Sequence, residues 1–297
     1  MASETNTPQT VAATLARGTL MLAKSSESPR SDAQRLLGFV LGRQRAWLIA
    51  HSESFLSTTQ AQKFTALCDI RAGGMPIAYI LGSSSFCGRD FIVSDKVLIP
   101  RPESELLVEE AVAHLHSRMD HHLPKQLFTV LDVGIGSGAI GCSIVAEVPS
   151  AALEGVDRSA AALKVAEHNA RRLNVFNRCK LYLGDLAMPT GGRSYDVVVA
   201  NLPYIPTADL PKPPDPVSFE PREALDGGPD GLDHYRRLLP TLAALMKPGG
   251  LALLEAAPPT MEGLMQLACL NLPGVEVVIV DDYAGLARYV RLKAPAP

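Results

Sequence analysis

The chain has 297 residues, is 47% hydrophobic and carries a formal net charge of −3 at pH 7. Its length favours two domains, and the near balance of charge gives no basic field of the kind that binds nucleic acid. Its five cysteines form no Cys-x-x-Cys pair, so we expect neither a disulfide framework nor a zinc ribbon. We find no secretory signal pattern and no apolar run of about 18 residues, and therefore expect a cytoplasmic protein without a membrane span.

Helical patterns fill the first part of the chain. Four segments with apolar residues at helical spacing read TVAATLARGTLMLAKS, SDAQRLLGFVLG, RAWLIAH and STTQAQKFTALCDIRAGG. They predict a small helical domain over residues 1–83. The following stretch, 84–100, reads SSFCGRDFIVSDKVLIP and has two β-rich runs around a turn. It predicts a β-hairpin that joins the helical domain to the next one.

Strand and helix patterns alternate over residues 101–297. The predicted strands are FTVLDVG, ALEGVD, CKLYLGD, YDVVVAN and LALLEA, followed by two strands within VEVVIVDDYAGLARYVRLK. This alternation favours an α/β fold whose mostly parallel sheet is covered by helices on both faces. Because only a short turn joins the final two strands, we expect the last strand to be antiparallel.

A glycine-rich segment, LDVGIGSGAIG, lies where the first of these strands meets a helix. Gly134, Gly136 and Gly138 allow a tight turn and the close approach of backbone amides to a ligand. Dinucleotide, phosphate and S-adenosylmethionine sites all use such a turn, so the segment alone does not choose among them. Asp132, just before the turn, is expected to orient the loop or a cofactor.

Acidic residues follow at the ends of the next two strands. Asp157 lies about twenty residues after the glycine turn, where an acid can accept hydrogen bonds from ribose hydroxyls. Asp185, followed by Leu186, ends the third strand. Because the carboxyl ends of parallel strands meet at one edge of the sheet, these groups predict a nucleoside pocket.

The fourth strand ends on the sequence Asn201-Leu202-Pro203-Tyr204. The side-chain carbonyl of Asn201 and the backbone carbonyl of Leu202 can accept the two hydrogens of a planar NH₂ group. Pro203 fixes the backbone, and Tyr204 offers an aromatic face. A dehydrogenase would share the glycine turn and the first acid but would not need this set, which suits methyl transfer to an amide or amino nitrogen.

The segments LDVGIGSGAIG, GVD, GD and NLPY together resemble class I S-adenosylmethionine methyltransferases that act on planar nitrogens, whose usual signature is Asn/Asp-Pro-Pro-Tyr/Phe. Within that class, VLIPRPESELLVEEA and FEPREALDGGPDGLDHYRRL resemble hallmark segments of the release factor glutamine methyltransferases. The N-terminal segment resembles the helical substrate-binding domain and hairpin of the same family. The resemblance extends over about residues 30–292.

This resemblance implies a Rossmann-like class I methyltransferase sheet with a small N-terminal helical domain. It implies S-adenosyl-L-methionine as cofactor, no metal, and methylation of the glutamine amide in the Gly-Gly-Gln motif of peptide chain release factors. The cofactor residues it implies are Gly134, Ile135, Gly136, Ser137, Gly138, Asp157, Asp185, Leu186 and Asn201. The glutamine would be held by Asn201, Leu202, Pro203 and Tyr204, with catalytic roles for Asn201, Pro203 and Tyr204.

Two departures from the family pattern stand out. Leu202 replaces the first proline of the signature, which keeps the carbonyl but adds an N–H group, so we expect Leu202→Pro to be tolerated. The segment LLEAAPPT places two prolines where a helix is expected to start. Both departures bear on catalytic efficiency rather than on the cofactor pocket.

Three alternatives to a release factor methyltransferase stay open on the sequence. A sister enzyme methylates a glutamine of a large-subunit ribosomal protein, but its Pro-Arg-Ser-Pro segment is replaced here by IPRPE. A nucleic-acid adenine methyltransferase would carry a basic groove and a target-recognition region. A non-catalytic protein that kept the fold is the third.

We expect a monomer with a release factor as partner and no stable nucleic acid or membrane contact. His114, His116 and the DHHLP segment predict a solvated linker rather than a metal site.

Overall fold

The structure is a computed structural model that describes residues 9–119 and 127–296. The chain forms two compact units. One contains the described residues up to Gly82 together with Pro211–Phe219, and the other contains Ser83–Leu210 and the residues from Glu220 onward. None of the described helices is long and apolar enough to cross a membrane. The predicted linker DHHLP lies outside the described residues.

The first unit is helical. A capping box begins its longest helix, where the Ser57 hydroxyl and the Gln60 side chain each bond the other's backbone N–H. Gly18 lies against the ring of Phe64, and a Cβ at Gly18 would come within 2.4 Å of that ring. The helices are α1 (Val11–Leu22), α2 (Pro29–Leu41), α3 (Arg45–Ala50), α4 (Thr58–Ala72) and α5 (Ile77–Leu81).

The second unit begins with an antiparallel hairpin, β1 (Ser83–Phe86) and β2 (Arg89–Ile92), followed by a seven-stranded sheet. The strand order is β5-β4-β3-β6-β7-β9-β8, and β9 is the strand of this sheet that runs in the direction opposite to the others. The predicted mostly parallel sheet with an antiparallel last strand is therefore confirmed. The strands are β3 (Phe128–Val133), β4 (Ala151–Asp157), β5 (Cys179–Leu183), β6 (Tyr195–Ala200), β7 (Met246–Glu255), β8 (Glu276–Asp281) and β9 (Ala287–Lys293).

Helices cover both faces of this sheet, as the alternating pattern predicts. Buried side chains of α6, α7 and α8 pack on one face, and those of α9 and α10 pack on the other. Strand β6 is buried along its whole length, so the residues that follow it emerge from the centre of the unit. The helices are α6 (Glu105–Ser117), α7 (Ala139–Glu147), α8 (Ala160–Arg172), α9 (Asp233–Leu245) and α10 (Pro258–Asn271).

Two proline-containing segments of the second unit form regular elements. The segment Lys247–Gly250 belongs to β7, where the pairing with β6 jumps from Met246 to Leu251. Pro258 and Pro259 do not disturb the start of α10, because they occupy its first turn. The first turn of a helix tolerates proline, since its N–H groups have no partner within the helix.

Candidate active site

A cleft with about 1000 Å³ of empty space opens in the second unit at the carboxyl ends of β3, β4, β5 and β6. It is the place where ligands bind in open α/β sheets. Most of the residues predicted from the sequence line it: Gly134, Ile135, Gly136, Ser137, Asp157, Asp185, Leu186, Asn201, Leu202 and Pro203. Gly138 and Tyr204 are not among its lining residues.

The glycine loop is held against the end of β4. The N–H groups of Gly134 and Ile135 both donate to the carbonyl of Val156, at 2.8 and 3.0 Å. Gly134 has φ 75°, a backbone conformation that favours glycine. A Cβ at this position would lie 3.0 Å from a methyl carbon of Leu202, so the glycine also permits contact between the loop and the residues after β6.

Gly138 shapes the loop from outside the cleft. It caps α7 with φ 80°, and its N–H donates to the carbonyl of Ile135 at 2.8 Å. The buried amide of Asn169 supports the same region, since its Nδ2 donates to the Ser137 carbonyl at 2.8 Å. The same amide exchanges hydrogen bonds with the backbone of Ile92 in β2. The hairpin therefore anchors the loop, a role for Asn169 that no sequence motif indicated.

The two carboxylates near the loop have different tasks. Asp157 accepts hydrogen bonds from the N–H groups of Gly136, at 2.9 Å, and Ser159, at 2.8 Å. Burial raises the pKa of Asp157 above its ordinary value, and these two donors lower it. Asp132 is buried behind the loop and accepts from the N–H of Gly141 at 2.9 Å. Burial raises the pKa of Asp132 to about 7.

The third strand end contributes an acid and a strained residue. Leu186 has φ 48°, which is uncommon for a residue with a side chain and marks a locally enforced turn. The carboxylate of Asp185 pairs with Arg237 of α9. This pair fixes Asp185 at the rim of the cleft.

The residues after β6 are held by buried partners. Asn201 donates through Nδ2 to the Ser104 hydroxyl at 3.2 Å. The N–H of Leu202 donates to the hydroxyl of Tyr235 at 3.3 Å. The carbonyl of Pro203 lies so close to Gly227 that a Cβ there would be 2.7 Å from it. These contacts leave the segment little freedom to move.

Tyr204 follows the cleft-lining residues and packs against the glycine-containing turn that precedes α9. A Cβ at Gly227 would lie 2.8 Å from the Tyr204 Cα, and one at Gly231 would also meet the Tyr204 backbone. Burial raises the pKa of the Tyr204 hydroxyl above its ordinary value. The side chain is therefore uncharged at neutral pH.

The two hallmark segments of the sequence meet through an ion pair. Arg101 donates to one carboxylate oxygen of Glu220 at 2.5 Å, and the backbone N–H of Ile99 donates to the other at 3.0 Å. The Glu220 side chain is almost fully buried.

Three residues in the wall of the cleft or behind it have no counterpart in the predicted set. Ser104 and Tyr235 bond Asn201 and Leu202, and Glu255 is a buried carboxylate at the end of β7. Burial raises the pKa of Glu255 to about 7. The one available signal was the acid that closes the run LALLE, since a charge at the end of an apolar strand requires a reason.

Two family models match the chain. The PrmC N-terminal domain matches residues 13–82, and the methyltransferase small domain matches residues 108–210. The release factor glutamine methyltransferase of Moorella thermoacetica is 42% identical over 90% of this chain and 92% of its own length. The enzyme of the same name from Coxiella burnetii is 37% identical over 90% of this chain and 92% of its own.

This chain is also similar in fold to solved structures. The hMettl16 catalytic domain, solved with a hairpin of the MAT2A 3′UTR, superposes with a TM-score of 0.52 at 14% identity, over 81% of this chain and 85% of that one. The fold and the cleft define an S-adenosyl-L-methionine-dependent methyltransferase of class I. Within that class, the chain belongs to the release factor glutamine methyltransferase family.

Proposed function

We propose that this chain transfers a methyl group from S-adenosyl-L-methionine to the side-chain amide nitrogen of the glutamine in the Gly-Gly-Gln motif of release factors. The observation that carries the proposal is the shared cleft of Gly134–Ser137 and Asn201–Pro203. A cofactor loop and an amide-binding segment that line one cleft can bring the methyl donor and the acceptor nitrogen together. The names of the curated relatives support the release factor as substrate.

The residues around the cleft fit a nucleoside cofactor. Gly134 leaves room for backbone approach, and Asp157 presents a carboxylate at the end of β4, where ribose hydroxyls bind in this class of fold. Asp185 and Leu186 would lie beside the adenine. The bound cofactor supplies an electrophilic methyl group on a sulfonium, so the protein needs no metal-activated nucleophile.

The task of the chain's own residues is orientation. An amide nitrogen is a poor nucleophile because its lone pair is delocalised, and no ordinary side chain deprotonates it near neutral pH. Asn201 Oδ1 and the Leu202 carbonyl would accept its two hydrogens and hold it in line with the methyl group. Such positioning and preorganised polar contacts are the main sources of rate in reactions of this type. Tyr204 contributes an uncharged aromatic face rather than a base.

The test is methyl transfer from labelled cofactor to a purified release factor, with a Gln→Ala version of its Gly-Gly-Gln motif as control. Asn201→Ala should lower turnover by about 10²–10³, while the affinity for the cofactor changes much less. Asn177→Ala is the matched control, because Asn177 is exposed and lies outside the cleft. Equal rates for Asn201→Ala and the parent, or equal methylation of the Gln→Ala factor, would contradict the proposal. A ribosomal protein assayed in parallel separates the sister activity.

We also propose that the protein acts in the cytoplasm, is a monomer and forms no stable complex with nucleic acid. The net charge of −3 supports the absence of a stable nucleic-acid complex. Light scattering on the purified protein, with and without RNA, measures the oligomeric state and the binding of RNA.

A further inference from the structure

Three side chains form a row at the wall of the cleft. Asn201 donates through Nδ2 to the Ser104 hydroxyl at 3.2 Å, and the Ser104 hydroxyl lies near enough to the Glu255 carboxylate to stabilise its ionised form and lower its pKa. Asn201 follows β6 and Glu255 ends β7, and these strands pair in register with Ala200 opposite Leu254. The row therefore spans the ends of two neighbouring central strands.

Glu255 is an expensive residue in this position. It is 1% exposed, and its Oε2 has no hydrogen-bond partner among the residues that the structure describes. Burying an ionisable group with incomplete pairing costs free energy that an apolar residue would avoid. Packing alone gives no reason for a carboxylate here, so its charge or its hydrogen-bonding capacity must serve the site.

When Glu255 is ionised, the hydrogen bonds in the row can run in only one direction. A carboxylate accepts hydrogen bonds and donates none, so the single hydrogen of the Ser104 hydroxyl must point at Glu255. The Ser104 oxygen is then an acceptor, and Asn201 must present its NH₂ group to it. The amide oxygen of Asn201 is left for the substrate.

We propose that Ser104 and Glu255 are positioning residues, which fix the Asn201 amide so that its oxygen, and not its NH₂ group, meets the glutamine amide of the substrate. This inference rests on the proposed function, because it matters only if Asn201 accepts a hydrogen from an NH₂ group. A reversed Asn201 would oppose NH₂ to NH₂ and could not hold the acceptor nitrogen.

The row is sensitive to the protonation of Glu255. A protonated Glu255 can donate to Ser104, whose hydroxyl is then free to donate to Asn201 and stabilise the reversed amide. The pKa of Glu255 is raised to about 7, because burial and, to a smaller extent, Glu103 outweigh the Ser104 hydrogen bond and the charges of Arg288 and Arg101, which lower it. Tyr204 and Tyr235 are the other titratable groups near this carboxylate, whose charge raises the pKa of both hydroxyls. Asn201 is therefore held with its amide oxygen toward the substrate above this pKa, and this orientation is lost as the pH falls through it.

The kinetic test compares Ser104→Ala and Glu255→Gln with the parent and with Ser143→Ala, a buried serine of α7 that does not line the cleft. We expect kcat to fall roughly tenfold in Ser104→Ala, less than for loss of a direct contact, with cofactor affinity and the KM for release factor unchanged. The parent should lose activity on the acid side of about pH 7, and Glu255→Gln should lack this acid limb. An identical pH profile in Glu255→Gln would overturn the proposal.

A second measurement does not depend on activity. Selective ¹⁵N labelling of asparagine gives side-chain NH₂ resonances, and the pair missing from Asn201→Ala identifies residue 201. In the parent this pair should shift with a midpoint near the Glu255 pKa of about 7, and in Ser104→Ala it should not. The absence of a shift in the parent, or the same shift in Ser104→Ala, would overturn the proposal. Failure of the parent to methylate any release factor would instead refute the proposed function and leave this result intact.

Discussion

The backbone N–H of Leu202 donates a hydrogen bond to the buried hydroxyl of Tyr235, 3.3 Å away. The same hydroxyl is directed at the carbonyl groups of Ala200 and Glu255. One side chain of α9 thus ties the ends of β6 and β7 to the first cleft residue that departs from the family signature. A proline at position 202 would have no N–H to donate. Leucine brings an additional N–H group to this position, and the Tyr235 hydroxyl accepts its hydrogen bond.

This contact changes the expectation for Leu202→Pro. The variant removes the N–H donor and also a leucine side chain that is 4% exposed and packed in the core. We now expect it to destabilise the protein rather than to be tolerated. Urea unfolding monitored by circular dichroism measures the change, and a gain in stability would show that backbone stiffness outweighs both losses.

Tyr235→Phe tests the other side of the same contact. It leaves the Leu202 N–H and two buried carbonyls without their partner, which should lower the free energy of unfolding by about 1–3 kcal/mol. The double variant with Leu202→Pro should lose less unfolding free energy than the sum of the two single losses, because the shared hydrogen bond can be lost only once. The exposed Tyr283→Phe is the control and should change stability by less than about 0.5 kcal/mol. Strict additivity would mean that the two residues are not coupled.

Asp157→Ala should weaken binding of S-adenosyl-L-methionine. A hydrogen bond to a charged group contributes roughly 1.5–3 kcal/mol, which corresponds to about a ten- to hundred-fold loss of affinity. The variant also frees the N–H of Gly136, so Asp157→Asn, which keeps an acceptor oxygen, should lose less. Titration calorimetry measures both, and unchanged affinity in Asp157→Ala would remove this residue from the cofactor site.

Asp132 should make stability depend on pH. Burial raises the pKa of its carboxyl from an ordinary value near 4 to about 7, so the folded protein retains a proton that the unfolded chain releases. The favourable contribution of Asp132 to the free energy of unfolding is complete below about pH 4 and is lost as the pH rises toward 7. Asp132→Asn carries no charge, so its stability relative to the parent should increase over this window. Urea unfolding at several pH values checks this, and a constant difference would be evidence that Asp132 is ionised throughout.

Removal of residues 1–82 tests the substrate-binding role that the family resemblance implies for the helical unit. All residues that line the cleft belong to the second unit, so residues 83–297 should bind cofactor with little change in affinity. Without the helical unit, intact release factor should be a poor substrate, whereas a short Gly-Gly-Gln peptide should be methylated as by the full chain. Unimpaired methylation of the intact factor would show that the helical unit is dispensable.

The sequence predicted the sheet well because its strands are short apolar runs that end on residues with a distinct chemistry. Gly134, Asp157, Asp185 and Asn201 each lie at or just after the end of a strand, and parallel strands bring such ends to one edge. That logic needs only local periodicity and the rule for parallel sheets. The antiparallel final strand followed from a turn too short for a crossover.

The supporting residues could not be predicted in this way. Ser104, Tyr235 and Glu255 come from three separate segments, and they meet the site only through the packing of α6, α9 and β7. The pairing of Arg101 with Glu220 could not be predicted for the same reason, since Glu220 lies 119 positions away along the chain. Contacts of this kind depend on tertiary structure and leave no spacing pattern in one sequence.

The division of the chain at Pro211–Phe219 has a consequence for anyone who builds hybrids of this family. The chain leaves the second unit after Leu210, contributes nine residues to the helical unit, and returns at Glu220. Within the helical unit, Gly74 lies against the Pro214 carbonyl and the ring of Phe219. A hybrid that exchanges the N-terminal segment alone would place the helices of one relative against the Pro211–Phe219 segment of another. Both segments must therefore be exchanged together to transfer specificity between relatives.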